Sequence, residues 1–174
     1  MVPRELLEFA PLALAGVVWF IEYLGHQRKA PWVADLGLVL GRDTETLRVD
    51  VPLPVPLDWL DDQEIVSHTA DRIAFKPPVS SDASVVCIGV IEIARVGEAT
   101  TFRYRCLLRA STIAFVAAVG STYWLNTRDL RTAIGIGVAF GLGMVIYAYF
   151  QKRKTDDAYH LITADLVQKA QQPG

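Results

Sequence analysis

Few side chains in this chain of 174 residues could do chemistry, and their spacing argues against most of it. The three histidines, His26, His68 and His160, stand far apart, in no HxxxH or HExxH relation that would bring two imidazoles onto one helix face. Cys87 and Cys106 are the only cysteines, and no CxxC offers a redox or zinc pair. No GxxxxGK is present to cradle a phosphate, and no GxSxG to present a nucleophilic serine. Asp58, Asp61, Asp62 and Glu64 form the one acid cluster. A divalent cation would need several of those oxygens converging on one point, whereas acids at the start of a short helix need only its positive end. Catalytic, cofactor-binding and metal-ligating residues are therefore expected to be none, and the chain is read as a non-enzyme.

The charges say more than the reactive groups do. A formal charge of −2 lacks the basic footprint that binding nucleic acid requires. All 36 charged residues fall outside three uncharged stretches, 9–21, 110–127 and 132–151. The average composition of 52 % hydrophobic residues thus mixes a very apolar material with an ordinary polar one. Neither a soluble single-core enzyme nor a disordered chain has that distribution.

Residues 132–151 are 20 uncharged residues, about 30 Å of helix, which matches the hydrocarbon thickness of a bilayer. Residues 110–127 are slightly shorter, and only Arg128-Asp129-Leu130-Arg131 separates the two, so they are expected to form a transmembrane hairpin with Asp129 capping the second helix. The first stretch has only 13 uncharged residues and contains Pro11. If Glu8 and Glu22 sit at the two interfaces, Leu6–Leu24 spans; a surface-lying or re-entrant helix is the alternative. A cleavable signal is disfavoured because the apolar run continues past Ala13-Leu14-Ala15. Cationic flanks set the orientation. Arg28, Lys29, Arg103, Arg105, Arg109, Lys152, Arg153 and Lys154 lie on one side, and only Arg4, Arg128 and Arg131 on the other. The middle module and the C-terminus are expected in the cytoplasm of a bacterial inner membrane, or the organellar equivalent, with the N-terminus opposite.

Between the spans the pattern is β-rich. Residues 85–95 and 98–108 alternate so that Val85, Cys87, Gly89, Ile91 and Ile93, with Thr100, Phe102, Tyr104, Cys106 and Leu108, form one nearly apolar face. Placing Val96-Gly97 in a two-residue turn pairs Cys87 with Cys106, Gly89 with Tyr104, Ile91 with Phe102 and Arg95 with Glu98. In a cytoplasmic module the cysteines should stay reduced and pack as small hydrophobes. Leu36–Leu40, Thr46–Val51 and Arg72–Phe75 are further strand candidates. Residues 51–57, alternating proline with aliphatics, read as an extended edge. Thr155–Ala170 reads as an amphipathic helix carrying Tyr159, Ile162, Leu166 and Val167.

The expected fold is thus an α+β integral membrane protein: an N-terminal membrane segment (1–24), a small antiparallel β-rich module (25–108), a helical hairpin (109–151) and a tail with a short amphipathic helix (152–174). The residues with most to say about function are small ones. Ala133, Gly137 and Gly141 form one stripe at four-residue spacing, Gly135, Ala139 and Gly143 a second, and Ala114 and Ala118 offer a matching surface on 110–127. Helices associate in lipid through close van der Waals approach, which small residues permit. One stripe suffices to hold the hairpin; the other faces the first segment or another protein. The leading expectation is a non-catalytic accessory, structural or assembly subunit of a larger membrane complex. Bioenergetic complexes are where such subunits are common. Its partners would be other membrane-protein subunits and the lipid bilayer, with no nucleic acid. A membrane-tethered module binding a lipid or small ligand is the alternative, and an apolar pocket beside the sheet would favour it.

Overall fold

A computed structural model describes residues 4–28, 30, 32, 35–60, 65–77, 85–127 and 129–172. The elements are α1 (Arg4–Gln27), β1 (Gly37–Leu47), a 3-10 turn (Leu57–Leu60), β2 (Ile65–Thr69), β3 (Arg72–Phe75), β4 (Cys87–Val96), β5 (Ala99–Arg109), α2 (Ala110–Thr127) and α3 (Leu130–Gln171). This is an α+β chain, with three α-helices and one five-stranded antiparallel sheet ordered β1-β5-β4-β3-β2 among the described residues. Two helices, α1 and α3, are long and apolar enough to cross a membrane, with windows of mean hydropathy 1.3 and 1.9. Helix α2 is not among them, because Ser111, Thr112, Ser121, Thr122, Asn126 and Thr127 dilute its apolar residues.

The β4–β5 hairpin forms where the alternation puts it, but in a different register. Val96 pairs with Ala99, so the loop is Gly97-Glu98 and not Val96-Gly97. Gly97 opens the loop with φ +65°, a left-handed value that valine's branched side chain resists. Cys87 therefore lies opposite Leu108, Gly89 opposite Cys106, Ile91 opposite Tyr104 and Arg95 opposite Thr100. Each partner moves by two residues, so every side chain keeps its face, and the apolar alternation could not distinguish the two registers. Arg95 makes its ion pair with Asp50 instead of Glu98. Gly89 is covered by the ring of Phe75, its partner on β3, which a Cβ added at Gly89 would overlap.

The remaining strands also differ from expectation. Leu36–Leu40 and Thr46–Val51 are two separate candidates in the sequence; β1 runs as one edge strand from Gly37 through the residues between them and ends at Leu47, so most of the second candidate is not strand. An irregularity between Val39 and Gly41 absorbs one residue. Strand β2, too short and too polar to be noticed, forms the opposite edge. Residues 51–57 join no strand. Val51 and Val55 are buried in the core while Leu53 is exposed, and Thr100 Oγ1 fastens the segment by donating to Val49 O and accepting from Val51 N. Leu57–Leu60 supplies the short helical turn expected near Asp58; residues 61–64 lie outside the described residues.

The largest departure is in the last third of the chain. The apolar segment and the amphipathic tail are one unbroken helix of 42 residues, about 63 Å long. Asp129 caps it as expected, accepting from the N–H groups of Arg131 and Thr132. The second half of α3 lies on the sheet. Tyr159, Ile162 and Leu166 enter the main core with Ile73, Phe75, Ile91, Ile93, Phe102 and Tyr104. Tyr159 stacks on Tyr104 with ring centroids 4.5 Å apart. Buried Gln151 ties the two layers together, its Oε1 accepting from Val86 N at 2.8 Å and Cys87 N at 3.2 Å. Hydrophobic burial continues the helix where the polar run Lys152-Arg153-Lys154 had suggested a break.

The register carries a measurable consequence. Gly89→Ala should destabilise the protein by about 1–3 kcal/mol through overpacking. In a Phe75→Leu background the same change should cost clearly less, whereas Tyr104→Leu should leave its cost unchanged. Urea unfolding of the solubilised protein, followed by circular dichroism, checks both.

Candidate functional site

Charge is seldom buried without a partner, so the position of Glu22 is informative. Sequence reasoning placed Glu22 and Arg109 separately at membrane edges. The structure brings them together and buries both, with side-chain exposures of 2 % and 8 %. Along α1, Ala15, Glu22 and Gly25 are buried with Pro11 and Val18 partly so, a spacing of three and four residues that turns one stripe toward α2. Glu22 sits at the end of that stripe. Arg109 ends β5, where the strand runs without a linker into α2. Its Nε donates to Glu22 Oε2 at 3.0 Å and its Nη2 lies 3.0 Å from the same oxygen, so the edge of the guanidinium closes on one carboxylate oxygen. Ser111 adds its backbone N–H at 3.0 Å to Glu22 Oε1, and its hydroxyl donates to Oε2. Arg109 also holds the start of β4, donating from Nη1 to Val85 O at 3.2 Å and from its backbone N to Val86 O at 2.8 Å.

The cluster therefore joins α1, α2 and two strands, and Gln151 joins α3 to the same point through Val86. A cavity of about 570 Å³ opens beside it, lined by Leu12, Trp19, Arg109, Phe115, Met144 and Tyr147 among others. A second groove of about 600 Å³ lies on the other side of α2, against β1 and α3. Both oxygens of Glu22 accept from donors held by the fold, Oε1 from Ser111 N and Oε2 from Arg109 and the Ser111 hydroxyl. The arrangement clamps α1 to the start of α2 and to the sheet.

The stripes of small residues separate cleanly. An added Cβ at Gly137 would stand 3.8 Å from Gly120 Cα, and one at Gly141 3.8 Å from Val116 Cγ1, so this stripe packs on α2. Ala133 is buried on this stripe, and the α2 residues that meet it are Val116 and Gly120. Ala118 is buried and Ala114 partly so, but they stand two positions from Val116 and Gly120 and so on another face of α2 than the one expected. Gly135 and Gly143 meet nothing within 4 Å, and Ala139 is exposed. Two residues along a helix turn the direction by about 200°, so this second stripe faces away from α2. Helix α1 packs along α2 and not along α3, which leaves the stripe open.

The groups weighed for chemistry stay apart. His68 is on β2 and His160 on the exposed side of α3; the side chain of His26 lies outside the described residues. So do residues 61–64 of the acid cluster, and no group of three metal-ligating side chains occurs among the described residues. Cys87 and Cys106 are buried, reduced diagonal neighbours. Their mutual hydrogen bond, followed by burial, pushes the Cys87 thiol up, which suits inert packing. On the sheet's other face Arg72 holds Asp35 at 2.6 and 3.0 Å, keeping that carboxyl below the usual range.

Removing one partner of the buried pair should be costly. Glu22→Leu or Arg109→Met alone is expected to lose about 3–5 kcal/mol, because an uncompensated charge stays buried, while the apolar double variant Glu22→Leu/Arg109→Met should recover most of it. Equilibrium unfolding in detergent measures the cycle; additive losses would show that the two groups do not act as a pair.

Compared with family models, curated proteins and solved structures, the chain matches none, so its activity is read from its own geometry.

Proposed function

We propose that this chain is an integral membrane protein that serves as a non-catalytic accessory or assembly subunit, docking through α3 onto other subunits of a membrane complex such as a bioenergetic one. The observation that carries the reading is the open stripe of Gly135, Ala139 and Gly143. It lies on a helix apolar enough to span a bilayer and faces away from the helices it could have packed against. Membrane insertion is supported by exposure. Only 17 % of the α1 window and 11 % of the α3 window are buried within the chain, whereas the core helix of a soluble protein would be mostly covered. Three crossings are supported by the level at which the elements meet. Glu22 near the end of α1, Arg109 at the start of α2 and Gln151 within α3 all converge on Val85-Val86. The sheet and the second half of α3 then share one side, the cytoplasmic one by the excess of cationic flanks there, with the N-terminus opposite.

A second reading, a membrane-tethered module that holds a lipid or small ligand, is favoured by the two grooves flanking α2, both lined largely by apolar side chains.

Substitution on the two stripes separates packing from docking. Gly137→Leu should prevent folding, because its neighbour is the Gly120 backbone. Gly135→Leu and Gly143→Leu should fold with unchanged circular dichroism and stop co-migrating with the host complex in mild detergent. If both still co-migrate, α3 is not the docking face. A cysteine at Asn126 should be labelled only from the side opposite the sheet; labelling from the sheet's side would overturn the three-crossing topology.

A further inference from the structure

The groove between α2, α3 and β1 has an apolar trunk and a charged mouth. Leu38, Leu108, Val116, Gly141 and Val145 line the trunk, and Lys152 closes one end. From Gly141 to Lys152 is 11 residues, about 16 Å of helix, close to half of a hydrocarbon core of about 30 Å. The groove is as long as one leaflet is thick. A polar recess of about 200 Å³ lies on the other side of Lys152, the residue it shares with the groove, and is lined by Asp43, Tyr104, Asp156 and His160 among others. Gly41 leaves room for the Lys152 side chain, since a Cβ there would stand 2.7 Å from Lys152 Cε.

Charges of both signs meet in that recess. Lys152 donates to Asp156 Oδ2 at 2.5 Å, and Tyr104 donates to Asp156 Oδ1 at 2.9 Å. An ammonium has three donors and a carboxylate about four acceptor positions, so both groups retain capacity. Asp43, opposite Tyr104, is exposed at the rim on β1, whereas Arg42, opposite Arg105, belongs to the other face of the sheet. A bare anion would meet Asp43 and Asp156 as well as Lys152. A headgroup with its own amine would satisfy both signs, its phosphate on Lys152 and its ammonium on Asp43 and Asp156. A quaternary amine has no N–H to donate to those carboxylates.

We propose that this groove binds one phospholipid carrying a primary-amine zwitterionic headgroup, with an acyl chain in the trunk and the headgroup in the recess. The site deepens the ligand-binding reading and is independent of the docking one, because the open stripe lies on another face of α3.

The test is native mass spectrometry of the full-length protein, purified in detergent and incubated with equal amounts of phosphatidylethanolamine, phosphatidylcholine and phosphatidylglycerol. One phosphatidylethanolamine should be retained in preference to the other two. Gly141→Leu and Val145→Trp, which fill the trunk from two positions, should each lower retention about tenfold. Asp43→Asn, at the mouth, should abolish the preference over phosphatidylcholine, and Lys152→Gln should lower retention of both lipids alike, each while leaving circular dichroism unchanged. Equal retention of the three lipids, a preference for phosphatidylglycerol, or retention indifferent to both trunk variants would overturn the proposal. None of those outcomes bears on co-migration of the Gly135 and Gly143 variants, so the two readings fail separately.

Discussion

The buried ion pair between Glu22 and Arg109 fixes how the parts of this protein stand relative to one another. Arg109 is both the last residue of a strand and the residue before a helix, so whatever holds it holds the sheet to the helical region. Its guanidinium takes Glu22 from α1 and Val85 O from the start of β4. A pair this deep brings little net stability compared with an apolar substitute of the same shape, because desolvating both charges offsets their attraction. What it contributes is specificity. The wrong docking of α1 would leave both charges buried without partners.

Helix α3 extends the same logic along its length. Its first half shows apolar side chains outward, and its second half turns Tyr159, Ile162 and Leu166 into the core. Gln151 stands between the halves, satisfying two N–H groups at the frayed beginning of β4. A single rigid rod therefore couples a surface in the apolar region to the packing of the sheet. Partner contact on Gly135 and Gly143 would be felt at the sheet through that rod, as would a lipid lying along Gly141 to Lys152.

The functional reading follows from surfaces instead of reactive groups. The buried polar side chains at the junction are engaged by fixed partners, and the cysteines are buried against each other under α3. What stays open is shape: a flat stripe of small residues on one face of α3 and apolar grooves on either side of α2. Such features recognise other helices and acyl chains, whose binding depends on close fit and not on bond-making.

Local pattern determined a good deal of this. Uncharged runs located the helices of the apolar region, the alternation in 85–108 located the hairpin and its buried face, Asp129 marked a cap, and two stripes of small residues were visible before either had a neighbour. Each of these depends on residues a few positions apart, which sequence displays directly. The hairpin's register did not follow, since the two candidates differ by two residues and leave every side chain on the same face. Nor did the continuity of α3 through Lys152-Arg153-Lys154, because the burial of Tyr159 and Leu166 that stabilises it comes from strands far away in the chain. The pairing of Glu22 with Arg109 joins residues 87 positions apart. Either one alone looks like an ordinary charge at the end of an apolar segment; only packing α1 against α2 removes both from water and makes them partners.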